Sequence, residues 1–516
     1  MLYATILKRQ ILSMGPFRLL LTCVVLPVLA ASLAWGQAPS PFSPRMPGSV
    51  PLVLAGGTVV DVTSWGRSAK DLPDAIVILR DGRITDVGSR MEVSIPKGAR
   101  VIDCTGKFLI PGLVDGFAGM NSQGQANANL AMGVTTVVAV SDPRRGMADV
   151  AASPSPHLYL LDSVGTTDNW SLLAKRPQWA LKLRQGARPA ELSPEETARQ
   201  LADTARLGTR AVWLGHDLTA ANVQLIITHA HQMGLVTYGE FVATPYSVGV
   251  EAGVDTLVHM GRYELGVIPD ELKRPLVDDQ EGSAASTAYD YAERVPQSDP
   301  HLRAYAHLLG THHAALMPTF SVYFAQLPGH RNLWKEPAAR LLDPARVSEP
   351  VNRSTGEVDY PLPYWARHLP GSAQHWMIEN QRKKAELSAL RLWHINETLF
   401  SANPHYLAAS GSPVHASLPG ISLHTELELL VRLGLTSREA LAAATNNYSL
   451  QFGWNELGQI TPGRRADIVI LDGDPTANIW NARRISTVIM DGNLIDIQRI
   501  YHPGEAAASA GGGHAR

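Results

Sequence analysis

The chain has 516 residues, of which 45% are hydrophobic, and it carries 45 Lys+Arg against 47 Asp+Glu. That length suits a large domain with an accessory one, and the apolar share excludes global disorder. A net charge of -2 argues against nucleic acid as a partner.

At the N-terminus Lys8, Arg9 and Arg18 precede an apolar run from Leu19 to Trp35, and Gly36-Gln37-Ala38 offers a cleavage site. Residues 1–38 are therefore expected to be a secretion signal, with Met1 or Met14 as the true start. The run falls short of the ~20 residues a spanning helix needs, and Pro27 interrupts it, so no stable membrane span is expected. The mature chain is expected to be secreted, into a periplasm, with Cys104 as its one remaining cysteine and no internal disulfide. Residues 39–50, rich in Pro and Ser, read as a linker.

Short β-branched runs follow: Val53-Leu54, Thr58 to Val62, Ala75 to Leu79, and Ile84 to Val87. Asp81-Gly82 between the last two is a favoured two-residue hairpin turn. From Phe108 onward strand-like runs alternate with helical ones. The predicted strands are Val134 to Val140, Ala211 to Leu214, Val236 to Tyr238, Thr256 to Val258 and Ala315 to Met317. Ser193 to Leu207 is a predicted helix with a capping serine, Pro in the first turn and acids at the positive end of the helix dipole. Asn222 to Met233 and Ala373 to Leu399 are two more. Alternation of this kind implies a parallel sheet, and so many units imply a barrel. The C-terminal runs Ala466 to Leu471 and Ile485 to Met490, the latter followed by Asp491-Gly492, return to β.

The expected architecture is α/β: a (β/α)8 TIM-type barrel over 111–457, with a small β-sandwich domain built from both chain ends, 51–110 and 458–498. A lid-like insertion is expected at about 261–404, on the face where barrels elaborate their βα loops. Residues 499–516, rich in Ala and Gly at their end, are expected to be a disordered tail.

Gly106 to Asp115, GKFLIPGLVD, resembles the amidohydrolase superfamily, in which this segment enters the first barrel strand. Other stretches agree in order: Met132 to Thr136, Glu251 to His259, Met317-Pro318-Thr319, Leu418 to Ser449, and GQITPGRRADIVILDGDP from Gly458 to Pro475. The chain looks most similar to the imidazolonepropionase- and prolidase-like members. The resemblance implies hydrolysis of non-peptide carbon–nitrogen bonds by one or two divalent metals, commonly zinc, at the C-terminal ends of the strands. Imidazoles and carboxylates hold such ions, and the ion makes its bound water nucleophilic at neutral pH.

Carried over position by position, the ligand set is depleted. Phe117 and Gly119 stand where the resemblance expects the two histidines of strand one. Trp213 takes the lysine position of strand four, Gly239 the histidine of strand five, and Gly411 the aspartate of strand eight. His259, on strand six, is the one retained ligand position. Gly239 is expected to face the lumen, which would turn Glu240 away from it. His229 and His231 imitate a His-x-His pair but lie two apart on a predicted helix, where they do not face each other. His312 and His313 are expected at a helix end, and His424 in a structural role.

The expectation is a catalytically impaired amidohydrolase with a degenerate metal site and no metal cofactor. It would act as a binder of a small molecule, or as a subunit of a homo- or hetero-oligomer with an active homologue. The alternative is an active hydrolase with a relocated or metal-independent site, with Glu240, Asp142, His216, Asp217 and His259 as its candidate residues.

Overall fold

The computed structural model describes residues 50–140, 154–164, 193–215, 218–241, 244–269, 295–347, 351–360, 362–414 and 416–501. The expected signal, most of the linker and nearly all of the expected tail lie outside them, as do Asp142, His216 and Asp217. No helix among the described residues is long and apolar enough to cross a membrane.

Residues from both chain ends form one eight-stranded sheet. Its N-terminal strands are β1 (Leu52–Val59), β2 (Leu72–Arg80), β3 (Arg83–Ser89), β4 (Arg100–Asp103) and β5 (Phe108–Pro111). β5 also pairs antiparallel with a strand from the far end of the chain, Ile468–Leu471, which continues the sheet through Ile485–Met490 to Asn493–Ile495. The sequence splits the first strand at Gly56-Gly57, whereas the structure runs β1 straight through. Gly56 takes φ +88° at the first of two register shifts, so the extra residues are absorbed as a bulge and the strand does not end. Asp81-Gly82 and Asp491-Gly492 both have positive φ at both positions, the geometry of a type I′ hairpin turn.

The barrel begins two residues beyond β5. Its parallel strands are β6 (Leu113–Ala118), β7 (Val134–Ala139), β8 (His157–Val164), β9 (Thr209–Leu214), β10 (Val236–Gly239), β11 (Thr256–Val258) and β12 (Ala315–Met317), neighbours in chain order. The remaining gap is filled by residues 405–411. Leu407 N–H donates to Leu316 O at 2.9 Å on one side. On the other, Gly116 N–H donates to Ala408 O and Gly411 N–H to Phe117 O. The eighth staff of the barrel is thus present in position, although the sequence pattern did not disclose it as a strand. The C-terminal strands of the outer sheet are then β13 (Ile468–Leu471), β14 (Ile485–Met490) and β15 (Asn493–Ile495).

Helices return the chain from strand to strand. Pro194–Arg206 starts where expected, with Ser193 Oγ accepting from Glu196 N–H. Ala220–Gln232 is capped in the same way by Thr219. In the expected lid, short 3₁₀ turns between Phe320 and His368 lead into a helix from Gly371 to Ala402. Its buried residues all lie in its second half, from Ala389 to Leu399.

Side-chain alternation divides the barrel into two cores. Leu214, Leu257 and Leu316 face outward, among the helices. Val138, Leu161, Ala211, Trp213, Val236, Tyr238, Val258 and Met317 face the lumen, where Tyr448 and Phe452 join them. The lumen is therefore a packed interior, as small barrels require.

Candidate functional site

The C-terminal ends of the barrel strands form its mouth, and of the positions singled out from sequence Phe117, Trp213 and His259 converge there. Phe117, at the end of β6, is 6% exposed. Its ring lies 4.7 Å from that of His259 and 6.1 Å from that of Trp213, edge to face in both cases. Tyr238 lies 6.4 Å from Phe117 and donates its hydroxyl to Gly116 O across the lumen at 3.2 Å. Aromatic pairs at these separations favour the packed state by about 0.5–1.5 kcal/mol each beyond the area they bury.

His259 reaches this cluster by a backbone device. Val258 already faces the lumen, so simple alternation would turn the next side chain outward. His259 instead adopts φ +64°, and its N–H donates to Met317 O. Its Nδ1 lies 2.9 Å from Thr319 Oγ1, whose own proton goes to Pro318 O. That contact orients the ring, and with Thr319 Oγ1 donating to Pro318 O, Nδ1 is the ring nitrogen placed to donate to Thr319.

The strand-five reading is corrected by the register. Tyr238 pairs with Trp213 and Val236 with Ala211, so residues 236, 238 and 240 share the inward face. A Cβ on Gly239 would point the other way, 2.8 Å from the Phe241 ring and 3.0 Å from Leu257 Cδ2, both in the outer core. Gly239 is thus not a lumen position, and Tyr238 stands level with Trp213. Glu240 has its parity on the lumen side, at the mouth, and is 3% exposed. Gly253 lies beyond the helix Tyr246–Glu251, and spacing across a helix and its turns does not preserve strand parity.

Could these residues hold the divalent metal of the resembled family? Phe117 and Gly119 supply no side-chain lone pair, and Trp213 offers only an indole N–H, which is a donor. The backbone has also closed over the vacated positions. Gly119 N–H donates to Ser412 O at 2.6 Å, and a Cβ there would lie 3.0 Å from Pro413 Cδ. Gly411 has φ +62°, and a Cβ on it would lie 2.5 Å from Val322 Cγ2. An aspartate side chain at Gly411 would therefore meet Val322 before it met an ion. Among the described residues no three His, Cys, Asp or Glu groups gather at the mouth to hold an ion. Among the described residues the mouth offers His259 and Glu240 without a third such ligand, so these residues do not fit the metal.

Two buried acids near the mouth escaped the sequence reading as a pair. Asp115, the last residue of the GKFLIPGLVD motif, accepts from Ser410 N–H at 2.8 Å, and burial pushes its carboxyl up to about 6. Glu426, in the helix Ile421–Leu433, accepts from Ser321 N–H at 2.7 Å, and burial pushes it up to about 8. Ser321 Oγ donates to Ser410 O, and Ser410 Oγ to Ser412 Oγ. These bonds tie strand one, the closing segment and the 320–326 turn together. Both acids are fully buried, so they position backbone and touch no solute.

The described histidines that the sequence places on helices or in structural roles have partners of their own. His231 pairs with Asp255 at 2.9 Å, with its pKa raised chiefly by that hydrogen bond. His229 bonds Leu225 O within its own helix. His312 caps the helix Pro300–Thr311, and the His313 ring lies 5.4 Å from that of His405. His424 is buried with Nε2 2.8 Å from Met132 O, and burial lowers it to about 3, so it is neutral.

The opposite end of the barrel, its foot, is charged. Arg210 lies over the Tyr159 ring at 4.1 Å and pairs with Glu456, which also accepts from Tyr159 Oη. Arg465 donates to Asp467, to Tyr159 Oη and to Thr136 Oγ1. It holds the Asp467 carboxyl down at about 2 against the cost of burial.

Residues 410–495 match the model of the amidohydrolase family. No curated protein matches the chain. Solved structures do. A bottromycin amidohydrolase aligns with a TM-score of 0.57 at 18% identity, covering 89% of this chain and 90% of its own. Molinate hydrolase aligns at 0.56 and 16%, covering 87% and 95%. A prolidase complexed with N-methylphosphonate-L-proline aligns at 0.53 and 18%, covering 86% and 99%.

Proposed function

We propose that this chain, an amidohydrolase-superfamily protein by its fold and by its match over residues 410–495, has lost metal-dependent hydrolysis and acts by binding. The aligned structures named above include hydrolases by name, and hydrolysis of C–N bonds is the activity this reading holds to be absent here. One observation carries the reading: the Phe117 ring packs edge-on against His259 and Trp213 where a metal and its water would have to sit. An ion there would lose coordinating partners and gain an apolar wall, and without the ion there is nothing to lower the pKa of a water. Phe117 and Trp213 are 6% and 3% exposed, so the binding this reading requires is by a partner subunit covering the closed face, or by an apolar solute that displaces the packed rings. Secretion to a periplasm is part of the proposal and follows from the N-terminal pattern alone.

The second reading, hydrolysis without the family's metals, draws support from Glu240. Its parity aims it into the mouth, where a carboxylate could serve as a base. The two readings separate in one experiment. The full mature chain is assayed on acyl-dipeptides, cyclic amides and lactones, with and without added zinc, cobalt or manganese. No turnover in either condition is expected. Metal-stimulated turnover abolished by His259→Ala would overturn the proposal, and metal-independent turnover abolished by Glu240→Gln would establish the second reading.

A further inference from the structure

We propose that His157, Asp467 and Asp491 form a divalent transition-metal site of the zinc, cobalt or nickel type at the foot of the barrel, clamping β8 to the outer sheet. His157 is the first residue of β8, Asp467 directly precedes β13, and Asp491 opens the hairpin between β14 and β15. His157 Nε2 lies 3.4 Å from Asp467 Oδ2 and 3.5 Å from Asp491 Oδ2. All three ligand atoms fall within 4.8 Å of one another. An ion with tetrahedral bonds of about 2.0–2.2 Å sets its ligand atoms roughly 3.3–3.6 Å apart. The two imidazole–carboxylate separations match that spacing and exceed an ordinary hydrogen bond. Consistently, Nε2 is sealed from solvent, and both of its carboxylate contacts are long.

The carboxylates are held as metal ligands usually are. Asp467 Oδ1 accepts from Asp491 N–H at 2.8 Å and Oδ2 from Arg465 Nε at 2.5 Å. Arg465 is itself anchored on Thr136 and Tyr159. Asp491 stands at φ +49° in a two-residue turn, which fixes where its side chain starts. Two carboxylates and one guanidinium leave a charge of about -1 beside the His157 ring, which favours a dication. Arg465 shares an oxygen with the ion, which weakens binding relative to a bare acid pair, so a dissociation constant of about micromolar is expected. Three protein ligands leave the fourth position to water. The foot is the end where barrels keep stability, not chemistry, so the ion's role is to fasten.

The test uses the full mature chain titrated with Co²⁺, followed by visible absorption and calorimetry, with Zn²⁺ and Ni²⁺ as competitors. One ion per chain is expected. Binding should weaken about 100-fold in His157→Ala and in Asp491→Asn, and should be unchanged in His259→Ala. Thermal stability should rise with added ion in the wild type and not in the first two variants, each checked for its fold by circular dichroism. No uptake, or uptake unaffected by both His157→Ala and Asp491→Asn, overturns the site. Uptake lost in His259→Ala instead puts the ion at the mouth, and that outcome sinks the proposed function as well.

Discussion

The two ends of this barrel have exchanged characters. At the mouth, where such barrels place ligands for chemistry, the strands end in Phe117, Trp213 and Gly411, and aromatic rings pack against one another. At the foot, where conservation of fold usually suffices, Arg210, Glu456, Arg465, Asp467 and His157 crowd together. The lesson is that a barrel's stability does not depend on which end carries the charge. Apolar packing closes the described part of the mouth and continues a lumen filled by side chains along its length.

That contrast can be broken most forcefully at the foot. Arg465→Ala leaves the buried Asp467 carboxylate without its cation, and loss of about 3–5 kcal/mol of stability is expected in a denaturant titration. A loss below 1 kcal/mol would mean water reaches Asp467 and the foot is not a buried ionic joint. At the mouth, Phe117→Ala should lose about 3–5 kcal/mol if the ring is core, as its contacts imply. A near-neutral result would instead mark an open, ligand-ready pocket. Gly411→Ala should lose at least 1–2 kcal/mol, since an L side chain at φ +62° is strained and this one also meets Val322. If that variant were as stable as the wild type, the steric case against an aspartate there would fail.

The last expected effect is in pH dependence. The folded pKa of Glu426, about 8, lies above its ordinary value of 4.5. The folded state therefore holds the proton more tightly, and the stability this gives is full below pH 4.5 and lost as pH rises towards 8. Glu426→Gln should flatten the decline in melting temperature between pH 5 and 8. His424, lowered to about 3 from 6.5, works in the other direction: its contribution is full above pH 6.5 and fades as pH falls towards 3. His424→Gln should reduce the acid sensitivity while leaving the alkaline limb as it was.

Much of the site was legible because motif spacing is rigid where strands are. Phe117 and Gly119 follow GKFLIPGLVD directly, and His259 follows its own strand, so their places at the mouth could be read from the chain. Gly239 was misjudged because its reference point lay beyond a helix and two turns, and strand parity is lost over such a distance. Tyr238 was missed for the same reason. The closing segment 405–411 carried no strand signal of its own, since it bonds β12 on one side and β6 on the other over only a few residues.

The amino-acid sequence by itself determined the class of fold and which of the resembled ligand positions carry no coordinating side chain. Hydrophobic periodicity dictates strands and helices, and a side chain without a lone pair cannot coordinate an ion in any conformation. Only the tertiary structure decided that the mouth is filled, that Glu240 and Tyr238 have the inward parity, and that His157 meets Asp467 and Asp491. Those facts depend on register and on contacts between segments distant in the chain, and local composition does not encode them.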